Sequence, residues 1–233
     1  MTEVLVAGMA PHFVPYIEGW ELQRRTHRDV VDGSAPDTLI LCEHHDVFTA
    51  GRRTSARERP TDGTPVVDVD RGGKITWHGP GQLTGYPIVR LPEPVDVIEH
   101  VRRLEQMMID VVAEFGVDGK RVDGRSGVWV TSAHGDNKIG AVGVRVADGV
   151  TMHGFALNCS NSLQPYSRIV PCGITDAGVT TLSLETGREI TPADVLDSIV
   201  ARFFTDGTTD KADVADPVDD ADAPIATSTG GTA

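Results

Sequence analysis

The sequence predicts an α+β domain, a mixed β-sheet with helices packed against it. Three observations predict it. Short apolar runs and amphipathic stretches follow one another without a regular β–α alternation. Val97, Val101, Leu104, Met108, Val111 and Phe115 recur at spacings of four, three, four, three and four, which is one face of a long helix. Asp37 to Glu43, DTLILCE, is a continuous apolar run of strand length, as a buried strand requires.

In chain order, Glu3 to Ala7 reads as a short strand. Pro15 to Val31 reads as a helix with Ile17, Trp20, Arg24 and Val31 near one face, closed by Asp32-Gly33. Cys42, in the strand that follows, is a packed thiol. Val47 to Pro60 is a polar loop with Arg52, Arg53, Arg57 and Arg59, either a solvated charge run or a docking patch for an acidic partner. A strand at Val66 to Asp70 enters a glycine-rich stretch, and one at Gln82 to Leu91 leaves it. Pro92 and Pro94 open the long helix, Met107 and Met108 pack in it, and Gly116 ends it. Gly127 to Val130 is a strand and His134 to Asn137 a turn. Lys138 to Val146 is a strand with Ile139, Ala141, Gly143 and Arg145 on one side and Lys138, Val142, Val144 and Val146 nearer the other. Ala147-Asp148-Gly149 turns it into a returning strand, Val150 to Cys159. Thr191-Pro192-Ala193-Asp194 starts a last helix, with threonine at the N-cap and proline at the first helical position. That helix buries Leu196, Ile199, Val200 and Phe203, and Gly207 stops it.

Residues 207–233 are rich in Asp, Ala, Thr and Gly and hold almost no large apolar side chains, so a disordered acidic tail is expected after a folded unit of residues 1–206. The whole chain carries 34 acids against 21 bases, a net charge of −13, and the tail's six aspartates and one lysine account for −5 of it. The remaining −8 disfavours nucleic-acid binding. Three cysteines cannot all pair, which suits a reducing compartment. No apolar run approaches the roughly 18 residues of a membrane span, and the first residues lack a signal-peptide pattern. A cytoplasmic protein is expected, with no membrane partner.

Arg71 to Pro87, RGGKITWHGPGQLTGYP, holds five glycines, two prolines, two cationic side chains and one histidine. Glycines let a backbone approach a ligand closely, and Arg71, Lys74 and His78 among them suit a polar or thioester head group. The stretch resembles the signature of the lipoyl(octanoyl) transferases. Their pattern is RGG, two residues, a hydroxyl residue, an aromatic, HGPGQ, then YP. Arg71, Gly72, Gly73, Thr76, Trp77, His78, Gly79, Pro80, Gly81, Gln82, Tyr86 and Pro87 match it. The resemblance runs through most of the chain to about Phe204. It implies the fold of the biotin and lipoate protein ligase catalytic domains, with residues 1–206 as the catalytic domain.

Cys172, in PCGI, reads from its surroundings alone either as a small buried residue or as a nucleophile suited to thioester exchange. The resemblance implies that it carries an acyl-thioester. Lys138 alone reads as a surface lysine at a strand start. The resemblance implies that it is the catalytic lysine, biasing Cys172 toward thiolate and later accepting the proton of the incoming amine. The same match assigns the acyl pocket to Arg71, Gly72, Gly73, Lys74, Ile75, Thr76, Trp77 and His78, to Ala141, Val142 and Gly143, and to His153, Gly154, Phe155 and Ala156. Backbone N–H groups there would stabilise an oxyanion.

The implied activity moves an octanoyl group from the phosphopantetheine arm of acyl carrier protein, through Cys172, to a lysine amine. The implied acceptors are the lipoyl domains of 2-oxoacid dehydrogenase complexes and the glycine cleavage H protein. No phosphate loop, zinc cluster or dinucleotide fingerprint is present, and no metal or cofactor is expected. The rival classes are an ATP-dependent lipoate or biotin protein ligase, which needs no nucleophilic cysteine, and a scaffold that only binds carrier domains.

Overall fold

A computed structural model of the protein describes residues 2–169, 177–205 and the backbone of 214–215. Among them, nine strands form one mixed sheet. They are β1 (Glu3–Gly8), β2 (Thr38–Cys42), β6 (Gln82–Ile88), β7 (Gly119–Val122), β8 (Arg125–Ser132), β9 (Gly135–Ala147), β10 (Val150–Asn158), β11 (Gly178–Val179) and β12 (Val214–Ala215). The order is β12-β1-β2-β6-β10-β9-β8-β7, and β11 pairs with β9. A second sheet holds β3 (Val47–Ala50), between β4 (Val66–Asp68) and β5 (Thr76–His78). The helices are α1 (Tyr16–Val31), α2 (Val97–Glu114), α3 (Leu182–Thr186) and α4 (Pro192–Thr205). The α+β class is as the sequence predicts.

Alternation within β2 divides the interior in two. Leu39 and Leu41 face a core with Leu104, Met108, Val111 and Ile199 from α2 and α4. Ile40 and Cys42 face the opposite side, where Val30 of α1 packs with Tyr86 and Ile88. Phe48, Ile75, Trp77 and Ile169 form a third, smaller core inside the second sheet. α1 and that sheet both border the cleft described below, through Tyr16 and through Thr76 and His78.

Several local expectations change. Val47–Ala50 is a strand rather than the start of a loop, because Phe48 fills the small core that Trp77 completes. The polar run 119–122 is also a strand, held by pairing to β8 rather than by apolar burial. The buried face of α1 is Tyr16, Gly19, Gln23, His27 and Val30, while Ile17 is 48% exposed. Apolar spacing misplaced that face because it is polar: His27 Nε2 lies 3.2 Å from the Ala147 carbonyl, and Gln23 Oε1 accepts from His153 N at 3.0 Å. The long helix starts at Val97, with Asp96 accepting from Glu99 N at its N-cap, and Met107 and Met108 are fully packed. The hairpin turn is as expected, with Asp148 and Gly149 both at positive φ. Of the tail, only Val214–Ala215 lies within the described residues, where it pairs in parallel with β1. The expected stop at Gly207 falls outside them.

Gly85, on β6, leaves room for the ring of Phe155 on β10, since a Cβ there would lie 2.2 Å from Phe155 Cζ. Replacing Gly85 with Ala should overpack this central pair and cost on the order of 1–3 kcal/mol. Urea unfolding checks it: the midpoint should fall with the slope unchanged, and an unaltered midpoint would contradict the packing.

Candidate active site

The signature loop is built around one buried guanidinium. Arg71 Nη1 donates to the carbonyls of Gly72 at 3.1 Å and Lys74 at 2.8 Å. Its Nη2 donates to the Thr49 carbonyl and to Thr49 Oγ1, both at 2.8 Å. The loop thus closes on itself and is pinned to β3. Gly51 is required at the crossing, because a Cβ there would sit 2.6 Å from Gly73 O and 2.7 Å from Arg71 Nη1. Gly72 N donates to Val144 O at 2.9 Å, which seats the loop on β9. The arginine loop joins the same knot, with Arg52 N bonded to Arg71 O and Arg53 N to Gly73 O.

Beneath this lid lies a cavity of about 400 Å³. Its sheet wall is nearly bare: Ala156 pairs with Thr84 on β6 and Ala141 on β9, and Gly154 pairs with Gly143. Small side chains on three adjacent strands leave a groove with room for an alkyl chain. Of the residues expected in the pocket, Arg71, Gly73, Lys74, Thr76, His78, Ala141, Val142, Gly143, His153, Gly154, Phe155 and Ala156 line this cavity. Gly72, Ile75 and Trp77 do not. Gly72 supplies the loop's anchor to β9, and Ile75 and Trp77 alternate inward to fill the small core.

Lys138 enters the cavity through a β-bulge. Trp129 pairs with Lys138 but Val128 pairs with Gly140, so β9 gains one residue over β8 at this point. The expected strict alternation therefore fails, and Lys138 lies on the same side as Ala141 and Gly143 while Ile139 faces the core. The lysine is buried, and its Nζ lies 4.5 Å from the centre of the Trp129 ring. A small chamber beside it is bordered by Gln82, Asn158, Tyr166, Ala177 and Val179. Thr180 N donates to Lys138 O at 3.0 Å, just after β11 pairs along β9. Cys172 lies outside the described residues.

Two histidines in the wall are held neutral. Burial drives the pKa of His78 down to about 3, helped by the nearby His44 and Arg71. Its Nδ1 lies 2.8 Å from Gln82 Oε1, which can only accept, so Nδ1 carries the proton and Nε2 is an acceptor. Gln82 Nε2 passes the network on to Asn158 Oδ1 and Tyr166 OH, each at 2.9 Å. His153 has φ +58°, a backbone conformation uncommon outside glycine. Its Nε2 donates to Asp70 at 2.8 Å, and burial, opposed by that bond, lowers its pKa. Asp70, bonded to His153 and facing Arg145, has its own pKa lowered to about 2.

Sequence reasoning passed over Tyr16, Thr84, Arg125 and the buried pair Glu43 and His44. Tyr16, Thr84 and Arg125 line the cavity, and Tyr16 stacks on His78 at 6.0 Å. Glu43 accepts from Gly81 N at 2.7 Å and so holds the turn of HGPGQ. His44 Nδ1 bonds the Val14 carbonyl at 2.8 Å, so its Nε2 accepts from Tyr86 OH at 2.6 Å. The run EHHD offered a signal for these, but no spacing rule isolates it. Among the described residues no group of three or more His, Cys, Asp or Glu is placed to hold a metal ion. No helix among them is long and apolar enough to cross a membrane.

The model of the lipoyl protein ligase A/B catalytic domain matches residues 15–204. A protein of Clavibacter sepedonicus named octanoyltransferase is 64% identical over 201 residues, covering 84% of this chain and 87% of that one. An octanoyltransferase of Renibacterium salmoninarum is 56% identical over 205 residues, covering 87% and 88%. Among solved structures, a bipartite lipoate protein ligase from Thermoplasma acidophilum, described with its E2 lipoyl domain, shares the fold. It has a TM-score of 0.64 and 13% identity, over 87% of this chain and 82% of that one.

The buried histidines set a pH dependence. His44, His78 and His100 have folded pKa values of about 4, 3 and 4, below the ordinary 6.5, with burial the leading cause in each. The unfolded chain takes up these protons first, so their stability contribution is complete above pH 6.5 and is lost as pH falls toward 4. Asp70 adds a loss in the same direction, between about pH 4 and 2. Urea unfolding should show stability dropping from pH 7 to pH 4.5, at up to about 1.4 kcal/mol per pH unit for each histidine. His100→Gln, away from the cavity, should flatten the slope by about one proton. A level profile over that range would contradict neutral burial.

Proposed function

The chain belongs to the lipoyl protein ligase A/B family and is an octanoyltransferase of protein lipoylation, and we propose that it works through a thioester on Cys172 with Lys138 as its proton shuttle. The observation that carries this reading is the bulge, which turns Lys138 from the core side of β9 into a cleft lined by small residues. Two further facts support it. Ile169 and Ala177, at the described ends on either side of 170–176, lie against the small core and the chamber beside Lys138. Cys42 and Cys159 are fully buried, and burial pushes both thiols up, Cys159 to about 12, so neither is suited to nucleophilic attack.

The steps balance without a nucleotide. The Cys172 thiolate attacks the octanoyl carbonyl; the new S–C bond forms, the carrier's S–C bond breaks, and the Lys138 ammonium gives the departing thiolate a proton. The neutral amine of the acceptor lysine then attacks the enzyme thioester. The N–C bond forms, the Cys172 S–C bond breaks, and the amine's surplus proton goes to neutral Lys138. Thiolate and ammonium are restored.

The donor is acyl carrier protein. Arg52, Arg53 and Arg57 are exposed, have no acidic partner among the described residues, and are bonded through Arg52 N and Arg53 N to the signature loop. They offer a basic approach to the mouth for an acidic carrier, on a chain that is otherwise acidic. The acceptors are lipoyl domains and the glycine cleavage H protein, in the cytoplasm, where thiols stay reduced. The reading invokes no cofactor.

The ligase alternative shares the fold, so architecture does not separate the two; the need for nucleotide does. Purified protein, octanoyl-carrier and a lipoyl domain should give one octanoylated lysine with no nucleotide present. Lys138→Ala should slow this by at least about a hundredfold. Strict dependence on ATP and free octanoate would overturn the proposal.

A further inference from the structure

We propose that Trp129 is a positioning residue for the transfer, its ring serving as the platform that holds the Lys138 ammonium inside the cavity. This rests on the assignment of Lys138 as the proton shuttle.

Trp129 is directly opposite Lys138 in the β8–β9 register and is 1% exposed. The 4.5 Å from Nζ to its ring centre is well within cation–π range. The bulge and the ring act together. Without the register shift, Lys138 would share the face of Gly140, whose missing Cβ is 2.8 Å from Met108 Sδ in the apolar core. Gly127, two residues before Trp129, lets β8 approach the bulged backbone: its φ is +103°, and a Cβ there would meet Gly140 O at 2.4 Å. The Arg125 guanidinium, 5.8 Å from the same ring, is a second cation drawn to it.

The indole Nε1 of Trp129 is buried and makes no hydrogen bond among the described residues. An unpaired buried N–H is a cost, so what tryptophan supplies over leucine here is its π face. That face suits the chemistry. The ring attracts the ammonium without accepting a proton, and it grips the neutral amine far less. Its hold is therefore tightest before the thioester forms and after the amide forms.

Fluorinated tryptophans test this, because they weaken the ring's negative face while nearly keeping its shape. The chain has three tryptophans, so the replacement is made both in the native sequence and in Trp129→Phe, which isolates position 129. With one and then three ring fluorines, kcat should fall stepwise, to on the order of a tenfold loss. KM for the octanoyl donor should hold, and Trp129→Phe should not respond to fluorination. Trp129→Phe should also retain more activity than Trp129→Leu. Trp129→Leu should add nothing to the loss already caused by Lys138→Ala. Unchanged kcat on fluorination, or additive losses in the Lys138→Ala background, would overturn the platform. Full turnover by Lys138→Ala would remove the shuttle and the platform together, whereas a flat fluorine response with Lys138→Ala inactive removes the platform alone.

Discussion

The buried guanidinium of Arg71 is the contact on which the site depends. Its bonds to Thr49, Gly72 and Lys74 carbonyl oxygens and to Thr49 Oγ1 fold the glycine-rich loop into a lid and fix it to the small sheet. Gly72 N then joins that lid to β9 of the large sheet. A planar cation with several fixed donors suits this task, because a lysine at the same place offers a single point of charge. The loop has few apolar residues of its own with which to hold a shape. A charge buried among backbone acceptors supplies the shape, and the cavity beneath follows from it.

The cavity combines an apolar groove with polar groups kept from titrating. Ala141, Gly143, Gly154 and Ala156 give the groove its width, while His78 and His153 stand in its wall as neutral rings with assigned tautomers. The two neutral rings add no further charge to a wall that already holds Arg71, Lys74, Arg125 and Lys138. Asp70 stays ionised, but its oxygens are taken by His153 and Arg145. The positive φ of His153 is a strained conformation at the point where β10 turns its ring toward Asp70.

The sequence made some of this legible and hid the rest for physical reasons. Strands with continuous apolar runs and the long helix stripe declared themselves because burial on a regular period leaves a pattern. The buried face of α1 did not, since Gln23 and His27 are inside as hydrogen-bond partners of backbone rather than as apolar filling. The strand at Val47 was hidden by four arginines that follow it. Ile75 and Trp77 show the limit of a contiguous motif: neighbours in a strand point to opposite sides, so a signature contains both pocket and core. The bulge at Lys138 left no mark in composition, and it decides which side of the sheet the lysine serves. Glu43, His44, Tyr16 and Arg125 reach the site from distant segments, and only the folded chain brings them together.

A covalent intermediate on one named sulfur is what most directly separates this account from its rivals. Intact-protein mass spectrometry with peptide mapping, after incubation with octanoyl-carrier and no acceptor, should find one octanoyl group on Cys172. Adding a lipoyl domain should discharge it onto a single lysine. An adduct on Cys42 or Cys159, or octanoylated acceptor formed with no adduct at any time, would contradict the account.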